Sequence, residues 1–407
     1  MITEIKLENF RSIENAEIKL GKINILTGSN SSGKSSILYG LLALKNTIGN
    51  PNQSIDGCLT LPYMNLGGFT QVVFDKNVNK RITLGIENQS ENNNKTSFWA
   101  HLGKNESELN IKTNILPGGL KLPVTFPYPA NKTTGTEKQF AEDIIFTINW
   151  NGISANLSYK KLKEDMPDDK VRQYTEDLNI GLNSPAEALR TVDFIPLKHG
   201  RGFTQPVYTS MALSNDILEE TQIATLLAQN RDLEGKVSHY LGKITNKSFS
   251  VRPILGTGNF YLQTHDKNTG FVSDLVNEGF GINQLIAVLT KILRPDVRFI
   301  CIEELEIHLH PGLMKNLVEV LIDISEEEDK QFLISTHSEH IILPLLNKVA
   351  EGKIKPEDIT IYFLEKDRKR TTYKLQNINS KGQIEGGLKS FYDTELAEVE
   401  QFFKARE

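Results

Sequence analysis

Residues 28–35 constrain this chain more than any other part of its sequence. They read GSNSSGKS and match the pattern G-x-x-x-x-G-K-[ST] in full. An apolar run containing Ile23 and Ile25 comes directly before them, and apolar residues at helical spacing come directly after. The sequence therefore predicts a strand, a glycine-rich loop and a helix in that order. This order is typical of a loop whose backbone N–H groups surround phosphate oxygens at a helix N-terminus.

Each residue type in this loop has its own chemical task. We predict that Lys34 binds the β- and γ-phosphates of ATP and that the Ser35 hydroxyl binds Mg²⁺. Gly28 and Gly33 let the backbone approach the phosphates closely. The remaining predicted nucleotide contacts come from four neighbours, Asn30, Ser31, Ser32 and Ser36. ATP and Mg²⁺ are therefore the expected cofactors.

Composition excludes several other classes of protein. The 407 residues carry 46 Lys and Arg against 51 Asp and Glu, and this net charge of −5 argues against indiscriminate coating of nucleic acid. The two cysteines lie far apart, which excludes a disulfide framework and a Cys-rich metal site. The sequence has no apolar run of the roughly 18 residues that a membrane helix needs. We therefore expect a cytoplasmic protein without a membrane partner.

The order of predicted elements favours an α/β fold. In the second half, apolar strands alternate with helices, which is typical of a parallel sheet covered on both faces. Short strand patterns precede this half, with a type I′ hairpin predicted at WNGI, residues 150–153. Ser184 followed by Pro185 predicts the start of a helix. Five segments result: 1–52 with the phosphate loop, 53–183 as an inserted β-rich lobe, 184–270 as a helical or mixed insert, 271–365 as the second part of the main domain, and 366–407 as a hairpin and helix.

Two adjacent carboxylates, Glu303 and Glu304, follow a predicted buried strand. In a parallel sheet this strand end faces the ligand. We predict that Glu303 binds Mg²⁺ directly or through water and that Glu304 polarises the attacking water. The alternative is a solvated acidic turn. Because the same sequence contains a phosphate loop, the catalytic interpretation of the two carboxylates is favoured. His308 and His310 resemble a zinc pair without a third ligand at a useful spacing, so a structural or phosphate-side role is favoured.

Another predicted strand ends in Ser335, Thr336 and His337. A histidine at this place can donate a hydrogen bond to a γ-phosphate oxygen and so sense whether that phosphate is present. Capping of the next helix is the alternative role. We assign His337, together with Glu304, to the candidate catalytic residues.

Taken together, these motifs resemble the ABC-class ATPases of the SMC, RecF and OLD kind, over nearly the whole chain. The likeness includes the opening residues 8–12, ENFRS. Lys34 and Glu303 are 269 positions apart (303 − 34), which fits a phosphate-loop domain with inserted lobes better than a small kinase or GTPase. The resemblance places a Q-loop at residues 66–71, which makes Gln71 a candidate metal or water ligand. A surface glutamine is the ordinary alternative.

Residues 277–284, NEGFGINQ, resemble a degenerate ABC signature that opens a helix. The resemblance implies that Gly281 and Asn283 approach ATP held by a second subunit, because the helix N-terminus favours anions. Two residues differ from the family pattern. Asn283 stands where many relatives carry Ser, and Leu305 stands where many carry Pro.

The resemblance implies an ABC-type P-loop head with a mixed or parallel sheet, an inserted β-rich lobe and a helical lobe. It also implies an ATP-dependent homodimer that acts as motor or sensor of a prokaryotic antiviral defence complex. A separate effector protein, a nuclease or a toxin, would be the partner, with DNA as a further candidate. No intrinsic nuclease is expected, because the 70 residues after His337 (407 − 337) carry no Toprim-like acidic cluster. The alternatives are a RecF-like DNA-binding ATPase of DNA repair and an OLD-like nuclease component; a transporter ATPase is disfavoured.

Two features of the tail keep two interpretations each. The basic residues within 366–370 form either a solvated turn or a contact to DNA phosphates. The apolar positions of a predicted helix within 388–403 form either a packing face or a docking surface for a partner.

Overall fold

The chain forms a mixed α/β fold with several sheets, which confirms the predicted fold class. The computed structural model describes residues 1–387 except 90–93, 115, 117, 141–143, 163–166, 198–199 and 215–218. The tail helix predicted within 388–403 therefore lies outside the described residues. No helix in the described part is long and apolar enough to cross a membrane.

The strands are β1 (Ile2–Phe10), β2 (Ile13–Lys19), β3 (Ile23–Gly28), β4 (Thr60–Leu61), β5 (Met64–Asn65), β6 (Ile82–Gln89), β7 (Lys95–Leu102), β8 (Ser107–Thr113), β9 (Leu120–Val124), β10 (Thr134–Phe140), β11 (Ile144–Trp150), β12 (Ala155–Lys161), β13 (Val192–Ile195), β14 (Tyr208–Thr209), β15 (Lys247–Pro253), β16 (Asn259–Asp266), β17 (Val272–Asp274), β18 (Phe299–Glu303), β19 (Gln331–Ser335), β20 (Ile359–Asp367) and β21 (Arg370–Gln376). The α-helices are α1 (Lys34–Gly49), α2 (Ile55–Cys58), α3 (Phe69–Val72), α4 (Asp168–Arg190), α5 (Glu220–Gln229), α6 (Arg231–Thr245), α7 (Phe280–Ile292), α8 (Pro311–Glu327) and α9 (Glu339–Ala350).

The chain divides into two compact units. The first unit is Met1–Leu20, Ser35–Val192 and Lys366–Thr372. The second unit is Gly21–Lys34 and Asp193–Glu365, together with the described residues from Tyr373 onward. The five segments predicted from the sequence stay a prediction.

The second unit contains the mainly parallel sheet. The strand order is β13-β18-β19-β3-β20-β21, and the neighbours β18/β19, β19/β3 and β3/β20 run parallel. Every residue of β3, β18 and β19 is buried. Their continuous apolar sequences are explained by this burial, because a strand covered on both faces needs no polar alternation. A smaller antiparallel sheet of β14, β16, β15 and β17 belongs to the same unit.

The first unit contains antiparallel sheets. Six strands follow the order β2-β1-β6-β7-β8-β9, and a second sheet follows the order β10-β11-β12. Strands such as β7 and β8 alternate buried and partly exposed residues, as expected where one face packs on a core. The predicted β-rich character of this part of the chain is confirmed.

The predicted helix start at Ser184 and Pro185 is wrong, because α4 begins earlier and continues through both residues. Proline lacks an N–H, so the Gly181 carbonyl four residues before it has no helical donor. The Ser184 hydroxyl donates to that carbonyl at 3.4 Å, which compensates for the missing bond. Apolar side chains keep helical spacing across the proline and bury the face that includes Val171, Leu178, Leu182 and Leu189.

The predicted hairpin exists, but its turn is not type I′. Trp150 pairs with Ala155, so residues 151–154 form a four-residue loop. A type I′ turn needs positive φ at both central residues, whereas only Gly152 in this loop has one, at 106°. The Asn151 side-chain oxygen instead accepts the N–H groups of residues 153 and 154 at 3.0 and 2.9 Å. An asparagine side chain that mimics a backbone turn therefore closes this hairpin.

The basic hairpin between β20 and β21 forms ion pairs within the first unit. Lys369 Nζ lies 2.7 Å from Asp75 Oδ1, and Arg370 lies 2.9 Å from Glu14 Oε2. These exposed pairs account for part of the basic charge. The two interpretations of the hairpin, a solvated turn and a DNA contact, stay predictions.

Candidate functional site

Three buried parallel strands end side by side at one edge of the sheet in the second unit. β18 ends at Glu303, β19 ends at Ser335, and β3 ends at Gly28. Glu303 is paired with Ser335, and Ser335 with Leu26. This register brings the acidic pair, the segment before His337 and the phosphate loop to one edge, as expected for the ligand side of a parallel sheet.

The phosphate loop has the backbone geometry that its glycines predict. Gly28 has φ 138° and Gly33 has φ 110°. A Cβ atom at Gly28 would lie 2.0 Å from the Leu364 carbonyl oxygen of the neighbouring strand, so only glycine fits there. Ser31 also has a positive φ, 63°. The loop therefore turns tightly into α1, whose first turn contains Ser35 and the buried Ser36.

Lys34 is held at the mouth of this loop by backbone carbonyls. It is 6% exposed, and its ammonium group donates to the carbonyls of Gly28 and Ser29 at 2.8 and 2.9 Å. Burial lowers the pKa of Lys34 to about 8, while the charges of Glu304 and Glu306 oppose the shift. A buried cation held only by neutral carbonyls is well suited to meet an incoming anion.

The two adjacent carboxylates have different surroundings. Glu303 is 8% exposed, and its Oε2 accepts the Leu197 N–H at 3.2 Å. Glu304 adopts φ 43°, which turns the chain sharply out of the strand, and its N–H donates to the Ser335 carbonyl at 2.8 Å. Its Oε1 lies 3.4 Å from His337 Nε2. One carboxylate is therefore fixed inside the unit, whereas the other faces the histidine.

His337 lies where its charge depends on its neighbours. Burial and the charge of Lys34 lower the pKa of His337, while Glu304, Glu306 and a hydrogen bond to the Gly28 backbone act in the opposite direction. The net shift is downward from 6.5. The ring is therefore mainly neutral at pH 7 and presents one N–H donor.

Glu306 is a site residue that the sequence did not single out. Its Oε1 accepts the Thr336 hydroxyl at 2.6 Å and the His337 N–H at 3.0 Å, and its Oε2 is buried without a hydrogen-bond partner. It fixes the backbone at His337. The sequence contained one indication of this role, because Glu306 stands two residues after the predicted catalytic Glu304.

Arg201 is the second residue missed, and nothing in the local pattern KHGRGF indicates its partners. It is 6% exposed and bonds to four backbone carbonyls. Nε donates to Pro196 at 2.7 Å, Nη2 donates to Ile195 at 3.1 Å and to Glu303, and Nη1 donates to Glu304 at 3.0 Å. Burial lowers the pKa of Arg201 to about 10, against the raising effect of nearby glutamates.

The predicted signature residues begin α7, as expected, and bond within their own unit. Asn283 is 4% exposed; its side chain accepts the Phe203 N–H at 2.6 Å and donates to the Phe203 carbonyl at 2.7 Å. A Cβ atom at Gly281 would lie 2.6 Å from the His308 carbonyl oxygen. Contacts of Gly281 and Asn283 with ATP of a second subunit stay a prediction.

The remaining residues considered in the sequence analysis are Gln71, His308 and His310. Gln71 is exposed on α3 in the first unit, and its role as a metal ligand stays a prediction. His310 caps α8 by accepting the Gly312 N–H at 3.0 Å, and the His308 ring lies edge-on to Phe280 with centroids 4.7 Å apart. Among the described residues, no group of three or more His, Cys, Asp or Glu side chains is placed to hold a metal ion. Zinc binding thus has no third ligand there.

The residues present fit a nucleotide with Mg²⁺. The Lys34 ammonium donates only to neutral carbonyls, which an anion can replace, and the loop around it adopts positive φ at Gly28, Ser31 and Gly33. Glu303 offers carboxylate oxygens, donors that Mg²⁺ prefers, and nucleotide phosphates commonly supply further ligands. The Ser35 hydroxyl, which follows Lys34 in the chain, stays a predicted ligand. Such a site needs no cluster of three protein ligands.

A glycine-rich loop between a buried parallel strand and a helix, beside strand-end carboxylates, defines a P-loop nucleotide-binding domain. A family model described as AAA ATPase domain matches residues 1–342. The chain belongs to this family, whose ATPase domain implies nucleotide binding.

Individual relatives are distant. The chain is 20% identical over 393 residues to a protein of Helicobacter pylori named ATP/GTP phosphatase, and the match covers 90% of this chain and 93% of that protein. Two solved structures are also similar. The SMC head domain from Thermotoga maritima has a TM-score of 0.45 and 8% identity, with 92% of this chain and 98% of that chain covered. The Smc head domain bound to the C-terminal domain of ScpA, derived from Pyrococcus furiosus, has a TM-score of 0.44 and 10% identity, with 92% and 96% covered. Likeness at these TM-scores supports no further conclusion.

Proposed function

We propose that this chain binds ATP with Mg²⁺ and hydrolyses it at the edge where β3, β18 and β19 end. The observation that carries the proposal is the convergence of Lys34, Glu303, Glu304 and His337 at that edge. Family membership and the name of the Helicobacter relative, ATP/GTP phosphatase, support the same activity.

Each residue at this edge has a task that its surroundings support. The Lys34 ammonium, with the backbone N–H groups of the loop, binds the phosphates. Ser35 and Glu303 would hold Mg²⁺, which supplies charge neutralisation on the phosphate oxygens when bound. Glu304, whose Oε1 lies 3.4 Å from His337 Nε2, orients the attacking water as a charged acceptor. With nucleotide bound, the neutral His337 ring would donate its one N–H toward the γ-phosphate in place of its hydrogen bond to the Gly28 backbone.

The proposal includes assembly and cellular role. We propose an ABC-type ATPase that forms an ATP-dependent homodimer in the cytoplasm and acts as motor or sensor of an antiviral defence complex, with a separate effector. The exposed Phe280, 52% accessible at the start of α7, supports a contact surface that includes the predicted signature. The effector, a nuclease or toxin, would supply the chemistry that this chain lacks.

Light scattering tests the dimer. The molar mass of Glu304→Gln should double when Mg²⁺ and ATP are added, because bound nucleotide stabilises only the assembled form. Lys34→Ala should stay at its starting mass. A wild-type monomer that hydrolyses ATP at full rate without associating would contradict the dimer.

Incubation of the chain with supercoiled plasmid, Mg²⁺ or Mn²⁺ and ATP tests the expected lack of nuclease activity. Two-metal cleavage needs carboxylates that converge on ions about 4 Å apart. The plasmid should stay intact. Cleavage that persists in Glu304→Gln would assign a nuclease to this chain and contradict the need for a separate effector.

A further inference from the structure

We propose that Arg201 is a positioning residue that fixes Glu303 and Glu304 for catalysis and connects them to the first turn of α7. The inference rests on the proposed function, because it assigns a role in ATP hydrolysis at the same site. Arg201 itself acts only through the backbone of the two glutamates. The tests below therefore separate a failure of the proposed function from a failure of this inference.

The first argument is the set of acceptors. Arg201 bonds the carbonyls of Glu303 and Glu304, which are the last residue of β18 and the first residue beyond it. It also bonds the carbonyls of Ile195 and Pro196 at the end of β13. One guanidinium group thus joins two chain segments that are about 100 residues apart in sequence, at the point where Glu304 leaves the strand with φ 43°.

The second argument is the burial of this cation. An isolated charge in the interior is costly unless hydrogen bonds compensate for lost water. The guanidinium of Arg201 donates four hydrogen bonds to neutral carbonyls. Its positive charge also interacts with the carboxylates of Glu303, Glu304 and Glu306. A planar fork with five N–H donors can hold several acceptors in fixed directions, whereas a lysine ammonium cannot reproduce that geometry.

The third argument is the continuation from Arg201 to α7. The next residues, Gly202 and Phe203, lie against the first turn of that helix, where Asn283 bonds both the N–H and the carbonyl of Phe203. A Cβ atom at Gly202 would lie only 3.2 Å from Asn283 Oδ1. On the other side, Gln284 Nε2 donates to the Ile307 carbonyl at 2.8 Å.

The first turn of α7 is therefore bonded to both flanks of the acidic strand end. The 201–203 loop forms one connection, and the 307–308 segment after Glu304 forms the other. A displacement of α7 would act on Glu303 and Glu304 through these bonds. The start of α7 is thus connected through hydrogen bonds to the groups that would hold Mg²⁺ and orient water.

Arg201→Lys tests the inference, with Arg294→Lys as a matched control. Arg294 is 5% exposed in the same unit and bonds Asp193 and Asp296 instead of the acidic strand end. Three readouts are needed: kcat, the Mg²⁺ concentration that gives half-maximal hydrolysis, and ATP binding measured by calorimetry with and without Mg²⁺.

We expect Arg201→Lys to lower kcat about 10- to 100-fold and to raise the half-maximal Mg²⁺ concentration about tenfold, as outer-shell changes commonly do. ATP binding without Mg²⁺ should stay within about threefold of wild type, because Lys34 and its loop are unchanged. The gain in ATP affinity on adding Mg²⁺ should shrink. Arg294→Lys should leave the Mg²⁺ requirement unchanged.

Gly202→Ala is a milder second variant for the case in which Arg201→Lys does not fold. Its added methyl group presses on Asn283 and displaces the loop by tenths of an ångström, so the Mg²⁺ requirement should rise about threefold. A wild-type Mg²⁺ requirement and kcat in the folded variants would overturn the positioning role while leaving the ATPase intact. Absence of hydrolysis by the wild-type chain would overturn the proposed function and this inference with it.

Discussion

The parallel strands β3, β18 and β19 of the second unit differ from the antiparallel strands β6–β12 of the first unit in how many of their residues are exposed. The former are buried along their whole length, whereas strands such as β7 and β8 alternate buried and partly exposed residues. A strand covered on both faces offers only its end to a ligand. A strand that is covered on one face only can also present the side chains of its other face to a ligand. The candidate catalytic residues Glu304 and His337 accordingly follow strand ends of one unit.

Polar groups show the same contrast. At the strand ends, the buried Lys34, Arg201 and Glu303 are held by backbone carbonyls and N–H groups. In the loop before β10, the buried Tyr128 hydroxyl, an uncharged group, shares a hydrogen bond with Thr134 and donates to the Trp150 carbonyl. Changes at the strand ends should therefore alter activity, whereas changes beside the antiparallel sheet should alter only stability.

The largest expected effect is that of Glu304→Gln. It keeps size and hydrogen bonding but removes the charge that orients water, so hydrolysis should fall about 10²-fold or more. ATP binding should survive. The exposed Glu137 of β10 gives the matched control, because Glu137→Gln removes the same charge in the antiparallel region. Phosphate release that is equally slow in both variants, or normal in Glu304→Gln, would break the comparison.

An intermediate effect is expected from pH. The pKa of free Lys34 is lowered to about 8, and bound phosphate favours its protonated form. ATP affinity should therefore be constant below pH 8 and should fall above it by up to about tenfold per pH unit. Lys34→Arg stays charged throughout and should show no such fall. Nucleotide titrations in EDTA between pH 7 and about 9.5 measure this; a flat wild-type profile would refute the assignment.

The smallest effect is expected in the antiparallel region. Tyr128→Phe removes the hydroxyl that bonds Thr134 and the Trp150 carbonyl. The free energy of unfolding should fall by about 1 kcal/mol, the usual net worth of such a bond. Urea unfolding followed by circular dichroism measures the change. Hydrolysis by the folded variant should equal that of wild type, and a slower rate would mean that this region acts on the active edge.

The sequence was sufficient to predict features that depend on local pattern. The strand, loop and helix around Lys34 form a continuous segment, and the apolar runs before Glu303 and His337 predicted β18 and β19 closely. The parallel arrangement then brought these residues to one edge without further information.

Features that depend on distant partners were not predictable. The acceptors of Arg201 include the carbonyl of Glu304, 103 residues away, and carbonyls carry no side-chain identity to signal the contact. Glu306 also acts through Thr336 and a backbone N–H on another strand. The start of α4 was misjudged for a local reason, because a hydroxyl inside the helix substitutes for the N–H that Pro185 lacks.

Phosphate release by the purified chain tests the central claim most directly. With Mg²⁺ and ATP, wild type should release phosphate in repeated turnovers. Lys34→Ala should bind ATP weakly and release almost none, because the ammonium that meets the phosphates is gone. Equal phosphate release by Lys34→Ala and wild type would show that hydrolysis occurs away from the edge where Lys34, Glu303, Glu304 and His337 meet.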